Sequence, residues 1–168
     1  MPFLDKIIDD YVKFPKRRTD ESLGFVFWQT TNLWQRKMNT ALKLLGLTLA
    51  QFVLLAGIAW LERFDQPITQ IRLARHARTD IMMTSDVLKT LEIRKLIERK
   101  QMKQDARANT LSVTKSGKEL VKKAIDLVEK VDNDFFRPLG DQSDAFLQSL
   151  LNLLESNQTE DKKKEVRK

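Results

Sequence analysis

The chain has 168 residues with 30 Lys or Arg and 23 Asp or Glu, so its net charge is +7 and its pI about 9.7. A chain of this length forms one domain with a real hydrophobic core. Excess positive charge favours a polyanionic partner, although it is equally compatible with a merely basic soluble protein. The sequence contains no cysteine, which excludes disulfides, thiolate metal sites and oxidant sensing through a cysteine.

The first segment, Phe3 to Phe14, is a short amphipathic helical pattern that Pro15 ends. Its acidic middle is unlike a secretory signal, so we expect a cytoplasmic, nucleoid-associated protein. The pattern predicts a helix that packs on the body of the protein or on a partner subunit. The alternative is a basic arm, through the run 16–18, that contacts DNA phosphates.

A long amphipathic helix is predicted from about Leu23 to Leu45, because apolar residues recur at alternating steps of three and four. Gly46 ends this helix, and Thr48 can cap the next one. The segment Leu44 to Leu61 has no charged residue, which makes it a candidate membrane span. We reject a span, because Gly46 and Thr48 divide the run and leave a remainder too short to cross a bilayer.

Two short helices with a tight joint at Thr79–Asp80 follow. The first is predicted from Ile68 to Arg78. The face that we expect to be buried consists of Ile71, Leu73, Ala74 and Ala77. The second begins after Asp80, a good N-cap, and has an apolar face made of Thr84, Val87, Leu88 and Leu91. Two helices joined in this way predict a helix-turn-helix.

After Leu96 the periodicity changes to that of strands. A first strand, Ile97 to Met102, a polar loop, Gln104 to Asn109, and a second strand, Thr110 to Val113, predict a hairpin. A helix-turn-helix followed by a charged hairpin is a winged helix, in which the helix fits the major groove and the hairpin tip reaches the backbone or the minor groove.

Two further helices complete the chain. Thr114 caps a long helix, Lys115 to about Phe136, and a last helix starts at Asp141 after a break at Pro138 and Gly140. These helices and the first long one are more apolar than a small winged domain needs. They therefore predict a subunit interface and a homodimer.

The chain resembles the MarR family of bacterial winged-helix transcription regulators. The resemblance rests on LTLAQFVLL at 47–55, the pair Leu73–Ala74, LEIRKLIER at 91–99 and DARANTLSVTKSGKEL at 105–120. The family's wing pattern is Asp-x-Arg, alternating apolar residues and then Thr-x-x-Gly. It is matched without a gap by Asp105, Arg107, Leu111, Val113, Thr114 and Gly117. Lys95 stands where the family usually has glycine.

The resemblance implies a mainly α fold with a small β-hairpin wing and an α-helical dimerisation region built from the terminal helices. We expect an N-terminal extension at residues 1–22, a MarR-like domain at 23–155 with its DNA-binding lobe at about 47–114, and a charged disordered tail at 156–168. The family also implies a dimer through the terminal helices and a wing in which Asp105 holds Arg107 for the minor groove.

The predicted DNA contacts lie on the basic face of the first short helix, on the exposed face of the second and at the wing tip. They are Arg72, Arg75, His76, Arg78, Thr79, Met82, Met83, Ser85, Asp86, Lys89, Lys103, Asp105 and Arg107. Met82 could contact a thymine methyl group or pack against the preceding helix. Asp86 could accept from cytosine N4 or orient Lys89 or Arg78. Met82, Met83 and Asp86 stand where the family commonly has polar or basic residues, so no base preference carries over.

Many members of the family bind small aromatic or amphipathic ligands between the DNA-binding lobe and the dimer helices. Residues that could line such a pocket are Trp28, Trp34, Phe52 and Trp60, although aromatic residues at helical spacing are more often core. We expect no cofactor, no metal site and no catalytic residue, since His76 is the sole histidine and no catalytic motif is present. The acidic pairs 9–10 and 132–134 are expected to be solvated.

The sequence thus predicts a sequence-specific DNA-binding regulator and no enzyme. We expect a homodimeric repressor on a palindromic operator, released by a small-molecule effector, with no membrane partner. The alternative is a helical protein–protein interaction module with a non-functional winged domain.

Overall fold

The computed structural model describes residues 21–101 and 109–165, with side chains as far as residue 157. Its helices and strands are, in chain order, α1 (Leu23–Leu42), α2 (Leu49–Leu61), α3 (Gln70–Ala77), α4 (Ile81–Ile93), β1 (Ile97–Gln101), β2 (Asn109–Val113), α5 (Lys115–Phe136) and α6 (Ser143–Glu165). Short 3₁₀ segments, Lys43–Leu45 and Arg137–Gln142, follow α1 and α5. The predicted mainly helical fold with a small hairpin is confirmed. The predicted helix at residues 3–14 and its alternative, the basic arm, lie outside the described residues.

The break between α1 and α2 is built as the sequence predicts. Gly46 has a φ of +65°, a left-handed conformation that suits glycine, directly after the 3₁₀ segment. Thr48 Oγ1 accepts from the Gln51 backbone N–H at 3.2 Å, and Gln51 Oε1 accepts from the Thr48 N–H at 3.1 Å. This reciprocal capping box fixes where α2 starts.

The same break bears on the uncharged run through α2. Among the described residues no single helix is long and apolar enough to cross a membrane. The segments Leu23–Leu45 and Leu49–Leu61 reach that length and composition only as a pair, and the pair is bent by 74°.

The hydrophobic core lies in the lobe that contains the two short helices. Leu54, Leu55 and Ile58 of α2 are fully buried at its centre. They pack in one cluster with buried residues of α3, α4 and the hairpin, which include Leu73, Leu88, Leu91, Ile97, Leu111 and Val113. Each such side chain contributes about 1.5–3 kcal/mol relative to an exposed position, so α3 and α4 are held on α2 mainly by apolar burial.

The predicted burial of Ile71 is wrong. Ile71 is 52% exposed, whereas Leu73 and Ala74 are buried as predicted. Successive residues are about 100° apart around a helix, so the Ile71 side chain lies far around α3 from the side of Leu73 that faces α2.

The hairpin is tied to the lobe at its base. β1 and β2 pair antiparallel with Ile97 opposite Val113 and Gln101 opposite Asn109. The Ile68 carbonyl accepts from the Leu111 N–H at 2.8 Å, and Glu62 Oε1 accepts from the Val113 N–H at 2.7 Å. The base of the hairpin, at Ile97 and from Leu111 to Val113, is therefore fixed to the core.

The hairpin also meets α5 at a point where only glycine fits. Thr114 Oγ1 accepts from the Gly117 N–H at 3.0 Å, which caps α5 as predicted. A Cβ atom added at Gly117 would overlap the Leu96 carbonyl oxygen and lie 2.7 Å from Val113 Cγ1. The absence of a side chain at residue 117 therefore sets the distance between α5 and the wing.

The terminal helices show two differences from prediction. α6 begins at Ser143 rather than Asp141, and it continues through residues 156–165, where we expected disorder. Half of this stretch is Lys or Glu, and these straight-chain residues lose little rotamer freedom in a helix. High charge therefore did not by itself mark a helix end.

Substituting Gly117 tests the close approach of α5 to the hairpin. We expect Gly117→Ala to lower the free energy of unfolding by about 1–3 kcal/mol, because the added methyl group meets a backbone carbonyl that cannot rotate away. Gly24→Ala is the matched control, since a Cβ there has nothing within 4 Å. It should leave stability unchanged or raise it by up to about 1 kcal/mol. Urea unfolding measures both, and equal effects would contradict the assignment.

Lys95 offers a second test of the backbone. It has a φ of +56°, and its carbonyl accepts from Thr114 Oγ1 at 2.8 Å and Ser116 Oγ at 3.1 Å, which holds this turn in place. We expect Lys95→Gly to raise the free energy of unfolding by about 0.5–1 kcal/mol, because glycine adopts this conformation without steric cost. Lys95→Ala removes the same charge but keeps Cβ. If Lys95→Ala raised the free energy of unfolding by the same amount, measured by thermal or urea unfolding, the gain could not be attributed to the backbone conformation.

Candidate DNA-binding surface

The joint between α3 and α4 is fixed by side-chain hydrogen bonds. Arg78 ends α3 in a left-handed conformation with φ +52°. Asp80 Oδ1 accepts from the backbone N–H groups of Met82 at 2.8 Å and Met83 at 3.0 Å, as expected for the N-cap of α4. The hydroxyl groups of Thr79 and Thr84 lie 2.8 Å apart, and the Thr84 hydroxyl donates to the Asp80 carbonyl at 2.7 Å. Thr79 therefore acts in the joint itself.

α4 has one buried face and one exposed face, as predicted. Thr84, Leu88 and Leu91 are fully buried. On the opposite side Met82 is 78% exposed, Met83 is 37% exposed, and Asp86, Lys89 and Thr90 are exposed, whereas Ser85 is half-buried. The exposed face of α4 is thus free to meet a ligand while its other face is held by the core.

The sequence analysis missed one residue of this face. Ile81, the first residue of α4, is 51% exposed next to Met82. The sequence pattern of the buried face, which starts at Thr84, does not extend to residue 81 and so does not predict its orientation.

The basic residues of α3 divide into two groups. Arg75, His76 and Arg78 are exposed. The guanidinium of Arg72 instead donates from Nη1 to the backbone carbonyls of Gln66 at 2.7 Å and Pro67 at 3.1 Å. Arg72 therefore stabilises the turn before α3, a contact that the sequence did not reveal. Nη1 of Arg78 lies 3.5 Å from the Leu154 carbonyl of α6.

The wing tip residues Lys103, Asp105 and Arg107 lie outside the described residues, but the base of the wing is described. Arg99 of β1 places Nε 3.0 Å from Glu92 Oε2 at the end of α4. The Arg99 side chain is 20% exposed, and this pair joins β1 to the end of α4. Sequence reasoning missed it, because a charged residue on a strand gives no sign of a partner on the preceding helix.

The four aromatic residues predicted for an effector pocket do not share one environment. Trp28 is 62% exposed and stacks on Phe25 at 6.0 Å between ring centroids. Trp60 is 49% exposed and lies under the Arg63 guanidinium at 4.6 Å. Phe52 is half-buried against the core of the lobe.

Trp34 has a structural partner. Its indole N–H donates to Asp132 Oδ1 at 2.8 Å, which links α1 to α5. Asp132 is therefore not simply solvated, whereas Asp134 is 60% exposed and lies 3.3 Å from Arg137 Nη1.

Three surface hollows among the described residues bear on a small-molecule site. One is lined by Trp28 together with other residues of α1, one lies between α1 and α5, and one lies between α2 and α5. None of these three is lined by Trp34, Phe52 or Trp60. Within residues 21–101 and 109–165, no group of three or more His, Cys, Asp or Glu side chains could hold a metal ion.

Comparison with known proteins agrees with this architecture. The model of the MarR family matches residues 47–108, which include α2, α3, α4 and β1. A Bacillus subtilis (strain 168) protein, the uncharacterized HTH-type transcriptional regulator YdcH, is 42% identical over 133 residues. The match covers 79% of this chain and 90% of YdcH.

Solved structures share the fold at lower identity. The S. aureus MepR–DNA complex has a TM-score of 0.72 at 19% identity, over 83% of this chain and 99% of MepR. CouR from Rhodococcus jostii RHA1, bound to p-coumaroyl-CoA, has a TM-score of 0.70 at 19% identity, over 84% of this chain and 94% of CouR. With the family match and the YdcH relative, the winged helix-turn-helix identifies this chain as a DNA-binding transcription regulator that belongs to the MarR family.

Proposed function

We propose that the protein is a homodimeric repressor that binds a palindromic operator in the cytoplasm, at the nucleoid, and is released by a small aromatic or amphipathic effector. The observation that carries the proposal is the division of α4, whose buried face is fixed by the core and whose other face is exposed beside the basic residues of α3. α4 enters the major groove, and the Asp105–Arg107 wing reaches the minor groove. The MepR structure, which contains DNA, supports this use of the fold.

The DNA contacts that we propose separate into two roles. Arg75, His76 and Arg78 of α3, with Lys103 and Arg107 of the wing, approach phosphates or the minor groove. Met82, Met83, Ser85, Asp86 and Lys89 of α4 face the bases. Arg72 and Thr79 act indirectly, because their side chains hold the turns at the two ends of α3.

The proposed dimer is supported by exposed apolar side chains on both terminal regions. At the start of α1 and along α6, large hydrophobic residues are 36–90% exposed: Leu23, Phe25, Val26, Phe27, Trp28, Phe146, Leu147, Leu151, Leu153 and Leu154. Exposed apolar residues in such number mark an interface. A partner subunit that covers α1 and α6 would remove it from water.

Truncation tests the dimer. We expect the full chain to sediment as a dimer at micromolar concentration. Deleting residues 141–168 should shift it toward monomer, because this removes the apolar residues of α6, whereas deleting only residues 161–168 should not. A folded full-length monomer at that concentration, judged by sedimentation and circular dichroism, would contradict the proposal.

Operator binding is tested with wing and helix variants. A two-fold dimer presents two recognition helices, so selection from random duplexes should return a palindrome with half-sites about 10 base pairs apart. Arg107→Ala should weaken specific and non-specific binding by similar factors and flatten the salt dependence by about one unit, because about one phosphate contact is lost. Met82→Ala or Ser85→Ala should instead lower the ratio of specific to non-specific affinity, by about 1–3 kcal/mol for a lost base contact.

Lys130→Ala, on the exposed side of α5, is the charge control for Arg107→Ala and should change neither affinity nor salt slope. Salt titrations of all variants on both duplexes give the comparison. An Arg107→Ala protein that stays folded and dimeric with unchanged affinity and slope would show that the wing assignment is wrong.

The effector is supported by the CouR structure, which contains p-coumaroyl-CoA. We expect an aromatic carboxylate or phenol to quench tryptophan fluorescence and weaken operator binding over the same concentration range. Trp28→Phe removes the most exposed of the three tryptophans and should reduce the quench if the hollow beside it is the site. A broad panel of such compounds that changes neither signal would contradict control by this class of effector.

The alternative function, a helical protein–protein interaction module, is favoured by the exposed apolar side of α6. The two functions differ in their response to DNA. A module with a non-functional winged domain would bind no selected duplex better than bulk DNA at physiological salt.

A further inference from the structure

The exposed side of residues 81–90 of α4 carries a single pair of opposite charges. Lys89 Nζ lies 3.2 Å from Asp86 Oδ1, and the two side chains are 65% and 77% exposed. They are the sole charged residues in IMMTSDVLKT, residues 81–90. The residues before them on this side, Ile81, Met82 and Met83, are apolar. The face is therefore neutral in sum, and attraction to DNA must come from α3 and the wing.

The carboxylate of this pair has no evident structural purpose. An exposed ion pair at this spacing contributes little to folding. On a helix that approaches DNA, a carboxylate also repels phosphates, which lowers affinity. Asp86 offsets this repulsion if its oxygens meet hydrogen-bond donors in the groove.

The major groove offers such donors selectively. Guanine presents two acceptors, O6 and N7, and thymine presents one acceptor and a methyl group. Adenine presents a donor next to the acceptor N7, whereas cytosine presents its N4 amino group alone. A carboxylate can only accept and an ammonium group can only donate. Cytosine is therefore the best partner for Asp86, and guanine is the best partner for Lys89.

The spacing of the two charges matches one base pair. Cytosine N4 and guanine O6 are hydrogen-bonded to each other across a C·G pair, at about 2.9 Å. The Lys89 and Asp86 atoms are 3.2 Å apart with the opposite polarity. We propose that Asp86 and Lys89 together read one C·G pair in each half-site, with Asp86 accepting from cytosine N4 and Lys89 donating to guanine O6 and N7. This rests on the proposed operator binding by α4.

The test uses the selected operator duplex and modified bases. Each cytosine in a half-site is replaced in turn by 2-pyrimidinone, which lacks the 4-amino group, and its partner guanine by 7-deazaguanine, which lacks N7. One position should weaken wild-type binding by about 5- to 150-fold, the range for a lost base contact. At that position Asp86→Ala should bind the unmodified duplex and the 2-pyrimidinone duplex equally well. Lys89→Gln should respond less to 7-deazaguanine.

Asp86→Asn tests base preference, which would not change if Asp86 had only a structural role. An asparagine side chain both donates and accepts, which matches adenine N6 and N7. Selection with Asp86→Asn should therefore move the preference at this position from cytosine to adenine. Asp126→Asn, an exposed acid on α5, makes the same change in charge and should leave the preference at cytosine.

The possible outcomes distinguish a failure of the C·G reading from a failure of operator binding. If wild-type protein binds a palindrome but Asp86→Asn keeps the wild-type preference, or Asp86→Ala remains fully sensitive to 2-pyrimidinone, the reading of C·G by this pair is overturned and operator binding stands. If wild-type protein prefers no duplex, both the inference and the proposed function are overturned. Circular dichroism and sedimentation of each variant verify that it is folded and has the wild-type oligomeric state.

Discussion

The burial of one face of α4 against α2 is the interaction on which the rest of the structure depends. Leu88 and Leu91 are fully buried in the same cluster as Leu54 and Ile58. Because a helix held along one stripe can present only the opposite stripe, this burial decides which residues of α4 face outward. A loss of Leu88 would therefore disturb the orientation of the exposed face of α4 as well as stability.

Local hydrogen bonds then fix the positions of α4 and β2. Asp80 fixes the first turn of α4, and Glu62 and the Ile68 carbonyl hold β2 against the lobe. The Glu92–Arg99 pair connects the end of α4 to β1. The end of α4 and the base of the wing are thus connected by this ion pair and by the shared core.

Periodicity and capping residues were enough to predict the helices, the joint and the hairpin, because these features depend on neighbours within a few positions. Contacts across long sequence separations were not predictable in this way. The Trp34–Asp132 hydrogen bond spans 98 positions of the sequence. The Arg72 guanidinium donates to backbone carbonyls of the preceding turn, whereas the sequence predicts it on an exposed basic face. Ile71 was assigned to the core from its apolarity alone, and the charged end of α6 was assigned to a tail from its composition alone. In both cases the local sequence pattern did not determine the orientation or the extent of the helix.

The central claim, that the exposed face of α4 is the surface that meets DNA, is tested most directly by methyl NMR of methionine-labelled protein. Met82 and Met83 are exposed on that face, and Met38 is fully buried in α1 and serves as an internal reference. On addition of the selected duplex, the methyl resonances of Met82 and Met83 should shift or broaden while that of Met38 stays in place. Unchanged Met82 and Met83 resonances in a sample that retains the duplex by gel shift would contradict the account.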